Sequence, residues 1–121
     1  MLFVKILWLL IIYDCLEKFG GMRRVYDAVK SRSVNSCITT VTIDEIVRAF
    51  DRARIWYPKQ VLCLQRSFVL TRLLRQFGHP AVFVLGANRM PFRAHAWVEV
   101  AGSPIQEKPN LKDSYLVWDR C

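Results

Sequence analysis

The sequence predicts an α+β fold, with helices in the first half and a small antiparallel sheet in the second. Three features carry this reading. Apolar residues in the first half recur at helical spacing and stop at glycines. A capping signature opens a helix at Thr42. Residues 94–100 alternate with a period of two, as in a strand with one buried face. No linker, internal repeat or low-complexity tract interrupts the 121 residues. Residues 1–121 therefore read as a single domain, with 1–57 its helical part and 58–121 a further helix and the sheet.

The first helix is expected over residues 2–19 and ends at Gly20-Gly21, a pair that tolerates backbone angles a helix interior does not. A second covers residues 22–29, and the polar run 31–36 is a loop. Thr42-Ile43-Asp44-Glu45 is a capping box, in which the threonine hydroxyl serves a free amide of the first turn and the glutamate reaches back. Ile43, Ile46, Val47, Phe50 and Ala53 then form one apolar face, and Pro58 prevents the helix from growing further. A fourth helix covers residues 63–77 and stops at Gly78. Residues 81–85, between Pro80 and Gly86, read as a short buried strand, and 88–91 as a turn. In the strand 94–100, Ala94, Ala96, Val98 and Val100 are expected to face the core, leaving His95, Trp97 and Glu99 on the other face. Residues 105–108 can return as an antiparallel strand after Ala101-Gly102-Ser103, and 115–118 can add a last one.

Composition narrows the functional classes. The chain is 53% hydrophobic and carries a net charge of +8, which suits an acidic partner or a solvated basic surface. No block of five like charges, groove-reading motif or aromatic RNA-binding signature is present, so nucleic acid is not an expected partner. Residues 2–13 are apolar apart from Lys5. That is shorter than the ~20 residues a bilayer span needs, and no small-residue cleavage site follows. A buried or partner-facing helix is expected there, with no membrane span. Cys15, Cys37, Cys63 and Cys121 form no C-x-x-C pair and no zinc spacing. With no secretion signal evident, reduced thiols and a cytoplasmic location are expected. Neither a metal nor a cofactor is implied.

Chemistry centres on Cys63 and His95. A thiol at a helix N-terminus feels the positive end of the helix dipole, which favours the thiolate. The free amides of that turn can also serve a developing oxyanion. An imidazole on a neighbouring strand can act as its base. Lys59 and Arg66 add positive charge nearby. A third group must orient the imidazole. Glu99 shares its face but lies four residues along the same strand, about 13 Å away. A hairpin centred on Ala101 or Gly102 brings Glu107 opposite or diagonal to His95 on the same face. Asp113 and Asp119 are weaker alternatives. Trp97 is a candidate wall of a substrate cleft and Arg66 a candidate substrate contact. His79, between Gly78 and Pro80, reads as an exposed turn residue.

Cys63-Leu64-Gln65-Arg66-Ser67, followed by Pro91-Phe92-Arg93-Ala94-His95-Ala96-Trp97-Val98-Glu99-Val100, resembles the leader peptidases of lasso-peptide biosynthesis, members of the transglutaminase-like superfamily of cysteine enzymes. The resemblance spans residues 55–110, and the two signatures are specific in combination. It implies a transglutaminase-like, papain-like core with a Cys-His-Asp triad, here Cys63, His95 and Glu107, with glutamate where the family usually has aspartate. It further implies a bacterial protease that cuts the leader from a ribosomally made precursor, a separate leader-binding protein that delivers it, and a cyclase that uses the new amine. The apolar first helix is then a docking surface for that partner or for the leader. An acyltransferase using the same triad, and a non-catalytic basic binding module, are the alternatives.

Overall fold

The computed structural model describes residues 2–30, 41–58, 60–61, 63–89, 92–100, 102–105 and 116–121. The elements are α1 (Leu2–Lys30), α2 (Ile43–Ala53), a short 3₁₀ turn (Arg54–Trp56), α3 (Cys63–Gln76), β1 (Ala81–Arg89), β2 (Phe92–Val100), β3 (Ser103–Pro104) and β4 (Leu116–Arg120). Helices precede an antiparallel sheet of order β3-β2-β1-β4, the α+β arrangement expected.

Local chemistry explains most boundaries. α1 is two helical segments joined at Gly21, whose φ of 67° and ψ of −165° break the helical geometry. Only glycine occupies that region readily, so the expected break between the first two helices is where the sequence places it. Thr42 caps α2, its Oγ1 accepting from the Glu45 N–H at 3.2 Å. Gly78 ends α3 with a φ of 87°, and the His79 N–H closes back onto Leu74 O. The loop expected over 31–36 lies outside the described residues.

α3 packs on β1 and β2, and α1 and α2 pack on α3 and on each other. Ile6, Leu10, Ile46, Phe50, Phe68, Leu70, Leu74, Phe83 and Val98 meet in this core without solvent contact. Tyr13 packs on Phe68 with ring centroids 5.5 Å apart. Arg75 ties the layers together. From α3 its Nε donates to Ala81 O at 2.8 Å, its Nη1 to Val29 O at 2.8 Å and its Nη2 to Cys121 O. On α1, Val4, Trp8, Ile11 and Phe19 are exposed. With Cys15 they line one face at intervals of three or four residues.

The sheet departs from expectation in four places. β1 runs nine residues, to Arg89, so Asn88 and Arg89 belong to a strand rather than a turn. It pairs with β2 throughout, from Ala81↔Val100 to Arg89↔Phe92. Residues 96–99 of β2 are buried, so both faces of the strand are covered there. Ala96 and Val98 join the main core, while Trp97 forms a second cluster with Val84, flanked by Val82 and Val117. β4 holds residues 116–120 where 115–118 was expected. The β2–β3 hairpin pairs Glu99↔Pro104 and Val100↔Ser103. That register is offset by one residue from a hairpin centred on Ala101 or Gly102, and a one-residue offset exchanges faces. Of the expected return strand 105–108, Ile105 donates its N–H to Val98 O, and the rest lies outside the described residues. His79 is half-buried rather than exposed, with Nε2 2.8 Å from Val41 O. It pins the segment before α2 to the end of α3.

Candidate functional site

Cys63 is the first residue of α3 and is half-buried. Three groups hydrogen-bond its sulfur: the His95 side chain, the Ala96 backbone and the Leu64 backbone. The Leu64 amide belongs to the first turn of α3, where backbone N–H groups have no intrahelical acceptor. Ala96 lies on β2 beyond the described pairing with β3. Its outward amide meets the helix start there. Together these groups hold the thiol below its ordinary pKa, His95 being the largest cause and burial acting against it. The arrangement stabilises sulfur as the thiolate, the nucleophilic form.

His95 lies on β2 opposite Gly86 of β1. Its ring stacks on Trp97, with centroids 5.8 Å apart and planes 25° from parallel. Trp97 has no solvent exposure, which corrects the expectation that it walls an open cleft. It lies behind the imidazole instead. Glu99, two residues further on, is also buried, its oxygens accepting from Trp97 Nε1 at 2.9 Å and from Arg120 Nη1. Arg66 is half-buried in the first turn of α3. Glu107, Asp113 and Lys59 lie outside the described residues, and Asp119 is described in its backbone alone.

α1 contributes a wall that sequence reasoning missed. Gln65 Nε2 donates to Leu10 O at 3.1 Å, and Tyr57 donates its hydroxyl to Asp14. Burial, then Asp14, pushes the Tyr57 phenol up to about 12. Tyr13 is pushed above its ordinary value by burial and by Glu17, Asp14 and the Cys63 charge. These contacts seat the middle of α1 beside the start of α3. The pairing of Asp14 with Tyr57 spans 43 positions, so no local pattern could announce it. Among the described residues, no group of His, Cys, Asp and Glu side chains could hold a metal. Cys15, Cys63 and Cys121 are free thiols, and no helix is long and apolar enough to cross a membrane.

A buried-edge imidazole bonded to a helix-start thiol, above an antiparallel sheet, is an arrangement suited to a thiol enzyme of the papain and transglutaminase kind. The family model described as "Transglutaminase-like superfamily" matches residues 6–118, and the chain belongs to that superfamily. Over 55 residues the chain is 40% identical to the microcin J25-processing protein McjB of Escherichia coli. The matched segment is 46% of this chain and 26% of that protein, so the similarity spans about a quarter of the relative's length. No solved structure matches the chain.

Proposed function

We propose that this chain is a cysteine peptidase that removes the leader from a ribosomally synthesised lasso precursor peptide. The observation that carries the reading is the hydrogen bond from His95 to the helix-start Cys63. Membership of the transglutaminase-like superfamily and similarity to a microcin-processing protein support this choice of substrate class.

In the proposed sequence the Cys63 thiolate attacks the carbonyl carbon of the scissile peptide bond. Amides of the first turn of α3 receive the developing oxyanion. The C–N bond breaks as protonated His95 gives its proton to the leaving amine. Water, deprotonated by His95, then hydrolyses the thioester and releases the leader carboxylate and the thiol. Glu107 is proposed as the group that orients His95, on the strength of the family resemblance. A separate leader-binding protein delivers the precursor, and a cyclase takes the new amine. The exposed apolar residues of α1 support docking of that binding protein or of the leader. A cytoplasmic setting suits free thiols.

The test is to incubate the chain, its leader-binding protein and the precursor, and to read masses. Separate leader and core peptides are expected from the native chain and uncut precursor from Cys63→Ala. Full cleavage by Cys63→Ala would discard the mechanism. The superfamily name also favours a second reading, in which an amine rather than water accepts the acyl group. An amide product formed with added amine would select it.

A further inference from the structure

We propose that Trp97 is a positioning residue for His95, its ring fixing the imidazole and favouring the imidazolium, with Glu99 and Arg120 locking the indole in place. The proposal rests on reading Cys63 and His95 as a working pair. Residues 95, 97 and 99 lie on one face of β2 because side chains alternate along a strand. His95 stacks on the indole at 5.8 Å and 25°, near enough for a protonated ring to gain from the π face. The indole is held from its edges. Val84, directly opposite on β1, shares its buried cluster, with Val82 and Val117 at the margin. The Trp97 N–H, a buried donor, is satisfied by Glu99 Oε2 at 2.9 Å.

Glu99 is itself 2% exposed, and a buried carboxylate needs a partner. Arg120 supplies it through Nη1–Oε1. Arg120 comes from β4, which neighbours β1 and not β2. It lies opposite Val84, which in turn lies opposite Trp97. The guanidinium therefore crosses β1 to reach the carboxylate, clamping three strands around one indole. A core tryptophan needs no such device merely to fill space. Freedom of the indole would become freedom of the imidazole stacked on it, and a base must be held to a small angular range. Cys63 from α3 bonds the imidazole, and Glu99 from β2 and Arg120 from β4 are the charged groups that hold the indole.

The experiment follows the imidazoles directly. The chain has two histidines, so nitrogen-15 labelling of histidine gives two resolvable titrations. In the native chain, the carbon-bound ring protons of His95 are expected upfield of those of His79, as stacking on an indole face requires. In Trp97→Leu the His95 midpoint is expected to fall by about half a unit, a roughly threefold loss of imidazolium near neutral pH, with His79 unmoved. Trp97→Phe, which restores an aromatic face, is expected to recover most of it. Running the same titrations in a Cys63→Ala background separates the ring's contribution from that of the thiolate. Unshifted His95 ring protons in the native chain, which need no variant to fold, would overturn the proposal. So would a Trp97→Leu midpoint that superimposes on the native one. Neither readout depends on leader cleavage, so failure of the peptidase reading and failure of this one remain distinguishable.

Discussion

Replacing His95 with alanine removes the largest influence holding the Cys63 thiol down and leaves burial, which raises it, opposed only by the Ala96 and Leu64 amides. A hydrogen bond to a charged group contributes about 1.5–3 kcal/mol. Each pKa unit corresponds to about 1.4 kcal/mol. Cys63 is only half-buried, and solvent screening favours the lower end. The thiol is therefore expected to rise by about one unit in His95→Ala, a tenfold loss of thiolate at any pH below both midpoints. The assay is the rate of iodoacetamide alkylation across pH, read by mass on the peptide containing Cys63 so that Cys15, Cys37 and Cys121 do not confuse it. A thiol held low stabilises the fold above the unfolded thiol pKa, and that stabilisation is lost as pH falls through the folded value. The stability gap between the native chain and His95→Ala should thus widen as pH rises between those two values. An alkylation midpoint that stays in place in His95→Ala would refute the reasoning.

Three further outcomes test the scaffold. Gly21→Ala should destabilise by about 1–3 kcal/mol in urea unfolding. An added Cβ there meets nothing within 4 Å, so the loss would report backbone conformation alone. Arg75→Met strips donors from Ala81 O, Val29 O and Cys121 O, with an expected loss of about 3 kcal/mol; a shift below about 1 kcal/mol would mean that the three carbonyls find other partners. Thr42→Ala removes the cap on α2, with a thermal shift equivalent to about 1 kcal/mol expected and Thr42→Ser largely restoring it.

The residues that announced themselves in the sequence act locally. Thr42 with Glu45, Gly20-Gly21 and Gly78 mark helix ends because the groups they satisfy lie within four positions of them. Cys63 and His95 were legible as a pair because each sits at a marked place, one at a helix start and the other in an alternating run. What was illegible depends on distant partners. Gly86, Asn88 and Arg89 have the composition of a turn, yet β2 pairs with each of them, and ladder formation overrides local preference. The alternation of β2 promised one wet face. Trp97 is instead buried against Val84, Val82 and Val117, and the Glu99 carboxylate is paired with Arg120, 21 positions later. His79 had nothing in its neighbourhood to reveal that the Val41 carbonyl would accept from it. The hairpin register turns on a single residue, and turn composition alone does not set it.

The most direct measurement of the central claim is the mass of the Cys63 peptide after rapid acid quenching of the chain with precursor and leader-binding protein. The expected result is a transient adduct equal to the leader acyl group, formed before free core peptide plateaus and absent from Cys63→Ala. Core peptide released at the native rate with no acyl group ever on Cys63 would contradict it.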